Sequence, residues 1–569
     1  MGPSLPRAVV QGVHGLAMEI TNSELLKKVI LPQAERLLSL EDRNPHSPTF
    51  GCFDRDFWAW KFKDIQDACM QNGVYALALL WGNDFDGNIY YRNERLLNWT
   101  IAGLDRWLRI QHKNGSFDQI FPNEYSYGAT AFTLFAMLES YKILEPELPA
   151  ILRDKFLVGT RKAAKFLLCS QEEHDRIANH LCGAAAALTD YHSFTGDARF
   201  KRKAEEILAT VFKDADEGWL PEYSGADPGY QTLALYYLAK HYLKSKDPGI
   251  LAKLEKTVEF LSYFVLPDGS FGGEYGSRDT EVLYPAGFFL LQDQILLAKK
   301  ITDVFLNNVS SNGIISLQAI DDGNLVPLMI SYLEAHLAAS NPSPDSTGAT
   351  LPPLPFEQEP FHKWMKNAGL YLVNTKNYYA ILGTCKNGLL KIYDKNRKMV
   401  VYDDCGYTAE TRGGDFLSSQ YMNPDVLVET HPDSVTITGS LSKMSWPLPT
   451  PGKILFLRFL NVTVCKSKYL GNAIKRILVW MLIKKRHKGV ISLRRHVAFF
   501  DERISVTDKL RKPSSLEIRS LSRGERYTTI HMATSGYFKK SELRRPQPFK
   551  AFDVDKFNRD SELETSVTI

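Results

Sequence analysis

Over the first 340 positions, apolar residues recur at three- and four-residue intervals, in segments of about twelve to twenty residues joined by short loops rich in Gly, Asp, Asn and Pro. "DIQDACMQNGVYALALLWG", "YGATAFTLFAMLESYKIL", "YQTLALYYLAKHYL" and "LAKLEKTVEFLSYFV" are representative. Roughly twelve such segments with short connections predict antiparallel helical hairpins, the unit of an α/α toroid, either incomplete or of six hairpins. Two loops echo each other: "KNGSF" (113–117) and "PDGSF" (267–271) close a helix with the same turn and the same aromatic anchor.

The period changes after "SNPSPDSTGATLPPLPFE" (340–357), whose Pro, Ser and Thr content marks a linker. Beyond it come short runs rich in β-branched and aromatic residues, among them "AGLYLVNT", "YYAILGTC", "MVVYDDCGY", "SVTITGSL", "KILFLRFLNVTV" and "RISVTDKL". The chain therefore predicts as a multidomain α + β protein: an α/α toroid over 1–340, a linker over 341–357, an antiparallel β-sandwich over 358–538 and a polar tail over 539–569. One segment breaks the strand pattern. "SKYLGNAIKRILVWMLIKKRHKG" (467–489) is basic and helical, and is expected either to pack on the sandwich with a solvated basic edge or to touch anionic lipid or an acidic polymer.

Composition narrows the function. The 69 basic and 65 acidic residues balance to +4, too even for a nucleic-acid binder. Seven cysteines, an odd number without CxxC spacing, are expected as reduced residues of a cytosolic protein. The opening "MGPSLPRAVVQGVHGLAMEI" lacks a secretory pattern and no apolar run reaches membrane-span length, so a cytoplasmic location, at most peripheral to a membrane, is expected. There is no P-loop, dinucleotide fingerprint or HExxH, and no cofactor or metal is expected. Oligomeric state leaves no mark in the composition.

The stretch "DRIANHLCGAAAALTDY" (175–191) sets Asn179 and His180 side by side at the start of a helix that then becomes almost pure alanine. The unpaired amides there favour an anion, and small residues let neighbouring helices approach. Asn is also a good helix cap, and a lone His is also often structural. About fifty residues on, Tyr230 follows a Gly-Pro turn in "WLPEYSGADPGYQTLALYYLAKHY" and opens the next helix. An Asn-His pair followed at this distance by such a Tyr resembles the heparinase II/III-like polysaccharide lyases, with the related alginate lyases and dermatan sulfate epimerases, over about residues 50–420. That resemblance implies a toroid followed by an antiparallel β-domain and β-elimination on a glycan containing uronic acid. It implies that Asn179 and His180 bind the uronate carboxylate and offset its charge, and that Tyr230 acts as general acid or base. A second His or Tyr from the β-domain completes such sites, and Tyr407 and His362 are the candidates. C5 epimerisation begins with the same proton abstraction and is the close alternative.

Further polar clusters line the same rim. "FGCFDRDFWAWKFKD" interleaves Arg55 with Trp58, which suits stacking on sugar rings, or else packing. "FPNEYSYGATAF" carries Asn123, Glu124 and Tyr127, and "GGEYGSRDTEVLYPAG" carries Glu274, Tyr275 and Arg278, the last a preferred second anion contact. Glu124, Glu222 and Glu274 also keep open a glycoside hydrolase with a carboxylate pair, and a non-catalytic glycan-binding protein is the third class. The expected partner in each case is an acidic oligo- or polysaccharide.

Overall fold

The computed structural model describes residues 22–173, 176–213, 215–223, 225–311, 313–340, 350–423, 425–444, 450–480, 489–524, 536–538, 543 and 550–569. Its helical part opens with α1 (Asn22–Leu40), α2 (Gly73–Gly82), α3 (Glu94–Ile110), α4 (Tyr127–Leu144), α5 (Ala150–Cys169) and α6 (Ala178–Thr195). The series continues with α7 (Ala198–Val211), α8 (Pro228–Ser245), α9 (Pro248–Ser262), α10 (Ala286–Leu291), α11 (Leu296–Ser311) and α12 (Asp322–Ser340); each even-numbered helix packs on the odd-numbered helix that follows it, and α12 packs on α1. The even-numbered helices pack neighbour to neighbour and α12 returns against α2, so the ring is closed.

Burial explains which helix goes inside. Every residue of α2 from Gly73 to Trp81 is buried, as a helix surrounded by other helices requires. The outer α7 instead buries Phe200, Ala204, Ile207, Leu208 and Val211, a single stripe. Small residues set the spacing of α6: a side chain at Gly183 would come within 2.8 Å of Phe132. The echo between two loops extends to four. Gly51, Gly115, Gly218 and Gly269 all have positive φ, and two residues beyond each stands a buried anchor, Phe53, Phe117, Leu220 and Phe271. The first three press against carbonyls of outer helices, at Ala102, Lys162 and Lys256, where any Cβ would collide.

Successive inner helices run in the same direction, so the N-termini of α4, α6 and α8 share one mouth of the ring. Towards their C-terminal ends the axis is filled by a polar cluster: Glu334 accepts from Tyr75, from Tyr236 (3.1 Å) and from Lys240 (2.8 Å), and Glu139 pairs with Lys240 (2.6 Å) and Lys244 (3.2 Å).

Strands follow. β1 (Phe361–Met365), β2 (Leu370–Asn374), β3 (Tyr378–Gly383), β4 (Leu389–Asp394) and β5 (Met399–Asp404) form an antiparallel meander. Its two faces are both covered: Leu370, Leu372, Tyr379 and Ile381 join the core of the toroid, while Tyr371, Val373, Ala380 and Leu382 meet the second sheet. This is why β2 to β4 read as unbroken apolar runs. The second sheet holds β6 (Tyr407–Thr411), β7 (Phe416–Ser418), β8 (Leu427–His431), β9 (Ser434–Lys443), β10 (Gly489–Phe499), β11 (Ile504–Arg511) and β12 (Ile518–Arg523). A toroid followed by an antiparallel β-sandwich is thus the architecture.

Two expectations are corrected. "KILFLRFLNVTV" is not a strand: Thr450 accepts from the Lys453 amide and Pro451 takes the first helical position, starting α13 (Pro451–Val462). With α14 (Lys468–Val479) it forms an excursion between β9 and β10, which still pair with each other. The excursion rests on the toroid rim rather than on the sandwich: Arg458 pairs with Asp64 (2.9 Å) and Asn472 donates to Glu173 (3.2 Å). The polar C-terminal stretch is also structured where it is described, with β13 (Lys550–Ala551), α15 (Val554–Asp560) and β14 (Glu562–Thr568), the last pairing along β11. Phe557 and Leu563 anchor it in a buried cluster beneath the sheet.

Candidate functional site at the mouth of the toroid

Helix α6 has Ile177 at its cap position and no side-chain cap of its own. Glu222, from the loop before α8, supplies one: its Oε1 accepts from the Asn179 backbone N–H (2.9 Å) and from Asn179 Nδ2 (2.7 Å). Its Oε2 accepts from Arg278 Nη2 (2.9 Å), and Arg278 Nε donates to Asp227 Oδ2 (2.6 Å). Asp227 is in turn the cap of α8, accepting from the Tyr230 amide (3.1 Å). The Arg278 guanidinium carbon lies 3.7 Å from the centre of the Tyr230 ring and 5.2 Å from that of Tyr223.

Burial pushes the Glu222 carboxyl up, with Arg278 pulling the other way. Burial also works against the Arg278 charge, but Asp227 and Glu222 outweigh it and hold its pKa above the ordinary guanidinium value. Tyr223 is pushed up to about 12, mainly by burial, and stands at φ 51°, a left-handed conformation rare for an aromatic residue.

His180 lies beside Asn179 and is partly exposed. Its Nδ1 is 2.7 Å from Glu172 Oε2, a carboxylate that is almost wholly buried. A ring nitrogen facing a carboxylate is the protonated one, which leaves Nε2 as the working position. The ring is seated edge-on to Phe132 (5.3 Å) and over Gly128, where a Cβ would come within 2.7 Å of it. Two cavities of about 480 and 450 Å³ open beside Glu172 and share Tyr127, Ser170, Gln171, Glu172 and Lys203 in their walls; His180, Asn179 and Tyr230 do not line either of them. Tyr127, the first residue of α4, is raised by burial and further by the charge of Glu172. The starts of two helices, Tyr127 of α4 and Leu181 of α6, line the second cavity, and the field at a helix start favours an anion.

The structure brings Asn179, His180, Tyr230, Glu222, Arg278 and Tyr127 to one mouth. It changes the state of two of them: Asn179 and Arg278 already hold an anion, the internal carboxylate of Glu222. The remaining candidates stand elsewhere. Tyr407 is fully buried in the sandwich, its hydroxyl donating to Asp508 (2.7 Å). His362 is exposed on edge strand β1, where it bonds Tyr371 (3.1 Å) and meets the Phe499 ring edge-on. Glu274 is fully buried at the junction of the two halves, 3.0 Å from Lys391 and 3.1 Å from Cys405 Sγ, and Tyr275 bonds Tyr393 there (3.0 Å). Glu124 accepts the backbone amides of Gln119 (2.8 Å) and Ile120 (2.7 Å), fixing a loop. Asn123 holds the excursion by donating to the Asn461 carbonyl (3.0 Å). Arg55 stacks on Trp58 at 5.5 Å, whose indole is tied to the Leu40 carbonyl (2.8 Å), a packing arrangement. Glu124, Glu222 and Glu274 thus serve three separate structural contacts and form no pair across a cleft.

Among the described residues, Glu274, Asp403 and Cys405, and Glu274, Asp279 and Glu281, are close enough together to hold a metal ion. The cation already among them is Lys391, 3.0 Å from Glu274, 3.6 Å from Asp403 and 4.0 Å from Glu281. None of the seven cysteines, all of them among the described residues, is in a disulfide. No described helix is long and apolar enough to cross a membrane.

Residues 91–284 match the family of the Ulvan lyase N-terminal domain. Among solved structures, the chondroitin AC lyase of Streptomyces coelicolor A3, determined with chondroitin sulphate, is 10% identical with a TM-score of 0.55, over 90% of this chain and 69% of that one. Heparinase III is 13% identical with a TM-score of 0.48, over 89% and 74%. The heparan sulfate lyase HepC of Pedobacter heparinus is 12% identical with a TM-score of 0.40, over 91% and 72%. No curated protein matches the chain in sequence. In fold the chain is similar to the chondroitin AC lyase, and over residues 91–284 in sequence it is similar to the Ulvan lyase N-terminal domain.

Proposed function

We propose that the protein cleaves an acidic glycan containing uronic acid by β-elimination at the mouth of the toroid. The observation that carries this reading is His180: its Nδ1 is tied to buried Glu172 and its Nε2 is left for substrate, beside Asn179 at the start of α6. The similarity of residues 91–284 to an ulvan lyase domain supports the reaction class, and the lyase fold shared with a chondroitin-cleaving enzyme supports an acidic polymer as substrate.

Elimination removes the proton at C5 of a uronate, forms the C4–C5 double bond from its electron pair and breaks the bond from C4 to the glycosidic oxygen, which takes up a proton. The difficulty is the neighbouring carboxylate, whose charge opposes formation of an enolate-like intermediate. The second amide hydrogen of Asn179, His180 Nε2 and the helix field offset that charge. Tyr230 is assigned the proton transfers, with the Arg278 guanidinium over its ring, 3.7 Å from the ring centre, as the positive charge nearest a phenolate formed there. Asp227 and Glu222 hold Arg278 in place, which makes them positioning residues.

Incubation with ulvan, chondroitin sulphate and heparan sulphate tests this, following the ultraviolet absorbance of the 4,5-unsaturated product together with new reducing ends. Both signals should rise together. Reducing ends without absorbance would indicate hydrolysis, exchange of the C5 proton without cleavage would indicate epimerisation, and binding without either would leave a glycan-binding protein.

A further inference from the structure

The α13–α14 excursion is not needed to build the sheet, since β9 and β10 pair directly beneath it. Its described residues, 451–480, contain six Lys and Arg and no Asp or Glu. The polar contacts of the excursion point to the toroid, through Arg458, Asn461 and Asn472. Its apolar side chains are left to solvent: on α13, Leu455 is 71%, Phe456 64% and Phe459 61% exposed, and Leu470 of α14 and Trp480 at its end are more than half exposed. The rim segment joined to α13 by Asp64 adds exposed apolar residues of its own, with Phe62 90% and Trp60 61% exposed.

We propose that this surface docks the protein on a bilayer containing anionic lipid. An apolar patch drawn from separate chain segments is a binding surface rather than ordinary exposure. Its density of positive charge opposes pairing with the same face of a second copy. A soluble polyanion has use for the lysines and arginines but none for exposed leucine and phenylalanine, whereas an anionic bilayer uses both. The two tryptophans, 60 and 480, have the amphipathic character found at membrane interfaces. Because α14 supplies Tyr469, Asn472 and Arg476 to the wall of the larger cavity, docking brings that cavity alongside the lipid surface.

Co-sedimentation of the full chain with phosphatidylcholine vesicles, with and without phosphatidylserine, tests the proposal. Binding is expected to the vesicles with phosphatidylserine, to weaken as salt is added and to fall about tenfold or more in a Leu455→Ser, Phe456→Ser, Phe459→Ser variant. Quenching of the unmodified protein's tryptophan fluorescence by brominated lipid provides a readout that does not depend on the variant folding. No sedimentation and no quenching would overturn the proposal. So would retention on dextran sulphate at equal strength by both proteins without vesicle binding, or a dimer of the unmodified protein that the variant abolishes.

Discussion

The sequence Asp-X-Gly-Tyr occurs twice, as Asp227 to Tyr230 in the toroid and as Asp404 to Tyr407 in the sandwich. Both Asp residues pair with a buried Arg, Asp227 with Arg278 at 2.6 Å and Asp404 with Arg495 at 2.7 Å. Each Arg also holds a second carboxylate, Glu222 or Asp508, and each lies over the Tyr ring that follows, at 3.7 Å and 5.9 Å. What separates them is their surroundings. The first cluster caps two helices whose N-termini face an opening, next to a histidine with a ring nitrogen to spare. The second joins strands inside a sheet, with the Tyr407 hydroxyl closed off by Asp508. A buried ion cluster therefore does not mark a reactive site; a neighbouring group with unused hydrogen-bonding capacity at an opening does.

The contrast can be broken by substitution. Tyr230→Phe should lower kcat by about a thousandfold or more, with Tm little changed, while Tyr407→Phe should leave kcat within a few-fold; equal losses would remove the distinction. Arg278→Met should cost about 3–5 kcal/mol in denaturant unfolding, because it removes the guanidinium from between two buried carboxylates, and Arg495→Met should cost less, because Arg523 still faces Asp508 (3.2 Å) and Asp404 (3.7 Å). Only the first should lower activity per folded molecule. Gly128→Ala, which intrudes on the His180 ring, should lower kcat on the order of a hundredfold, since displacement of a reacting group by about 1 Å costs that much. Tyr407→Phe should cost about 1–3 kcal/mol by leaving Asp508 short of a donor.

A third buried acid sharpens the comparison because it has no Arg partner. Glu41 is buried, neither carboxyl oxygen has a hydrogen-bond partner, and burial raises its pKa from 4.5 to about 8. The folded state holds its proton more tightly than the unfolded chain, so this contribution to stability is fully present below about pH 4.5 and lost as pH rises through about 8. Glu41→Gln should accordingly raise Tm at pH 9 by the equivalent of about 1–2 kcal/mol and change it little at pH 5. An equal gain at both values would place Glu41 in contact with a charge.

The order of toroid and sandwich was legible because helical and strand periodicities are local. The all-apolar inner helices and the striped outer ones are visible residue by residue, as in α2 and α7. Ring closure was not, since it depends on α12 meeting α2. α13 misled because Ile, Leu, Phe and Val favour strands, while its cap lies in the Thr-Pro pair that precedes them. At the mouth, Asn179, His180 and Tyr230 could be picked out from helix starts, and Arg278 from an over-polar loop. Glu172 and Tyr223 were missed: their only local signal is an acidic "QEEHDR" and a Tyr before a turn, and neither says which helix the loop will face. Tyr407 was a candidate only as the β-domain residue that completes such a site, and the pairing of β6 with β7 and β12 seats it inside the sandwich instead.

Closure of the ring also dictates how the chain must be made. Leu26, Ile30, Ala34 and Leu37 of α1 are fully buried, largely by α12 and α11, and Arg36 is fixed by Asp322, 286 residues later in the chain. While the chain is still being synthesised, this first helix has no surface to cover it. The toroid completes its core only after nearly three hundred further residues have emerged, a high-contact-order step that folds slowly and exposes an apolar stripe in the meantime. Helix α1 thus emerges well before the helices that cover it and is among the last of the ring to dock.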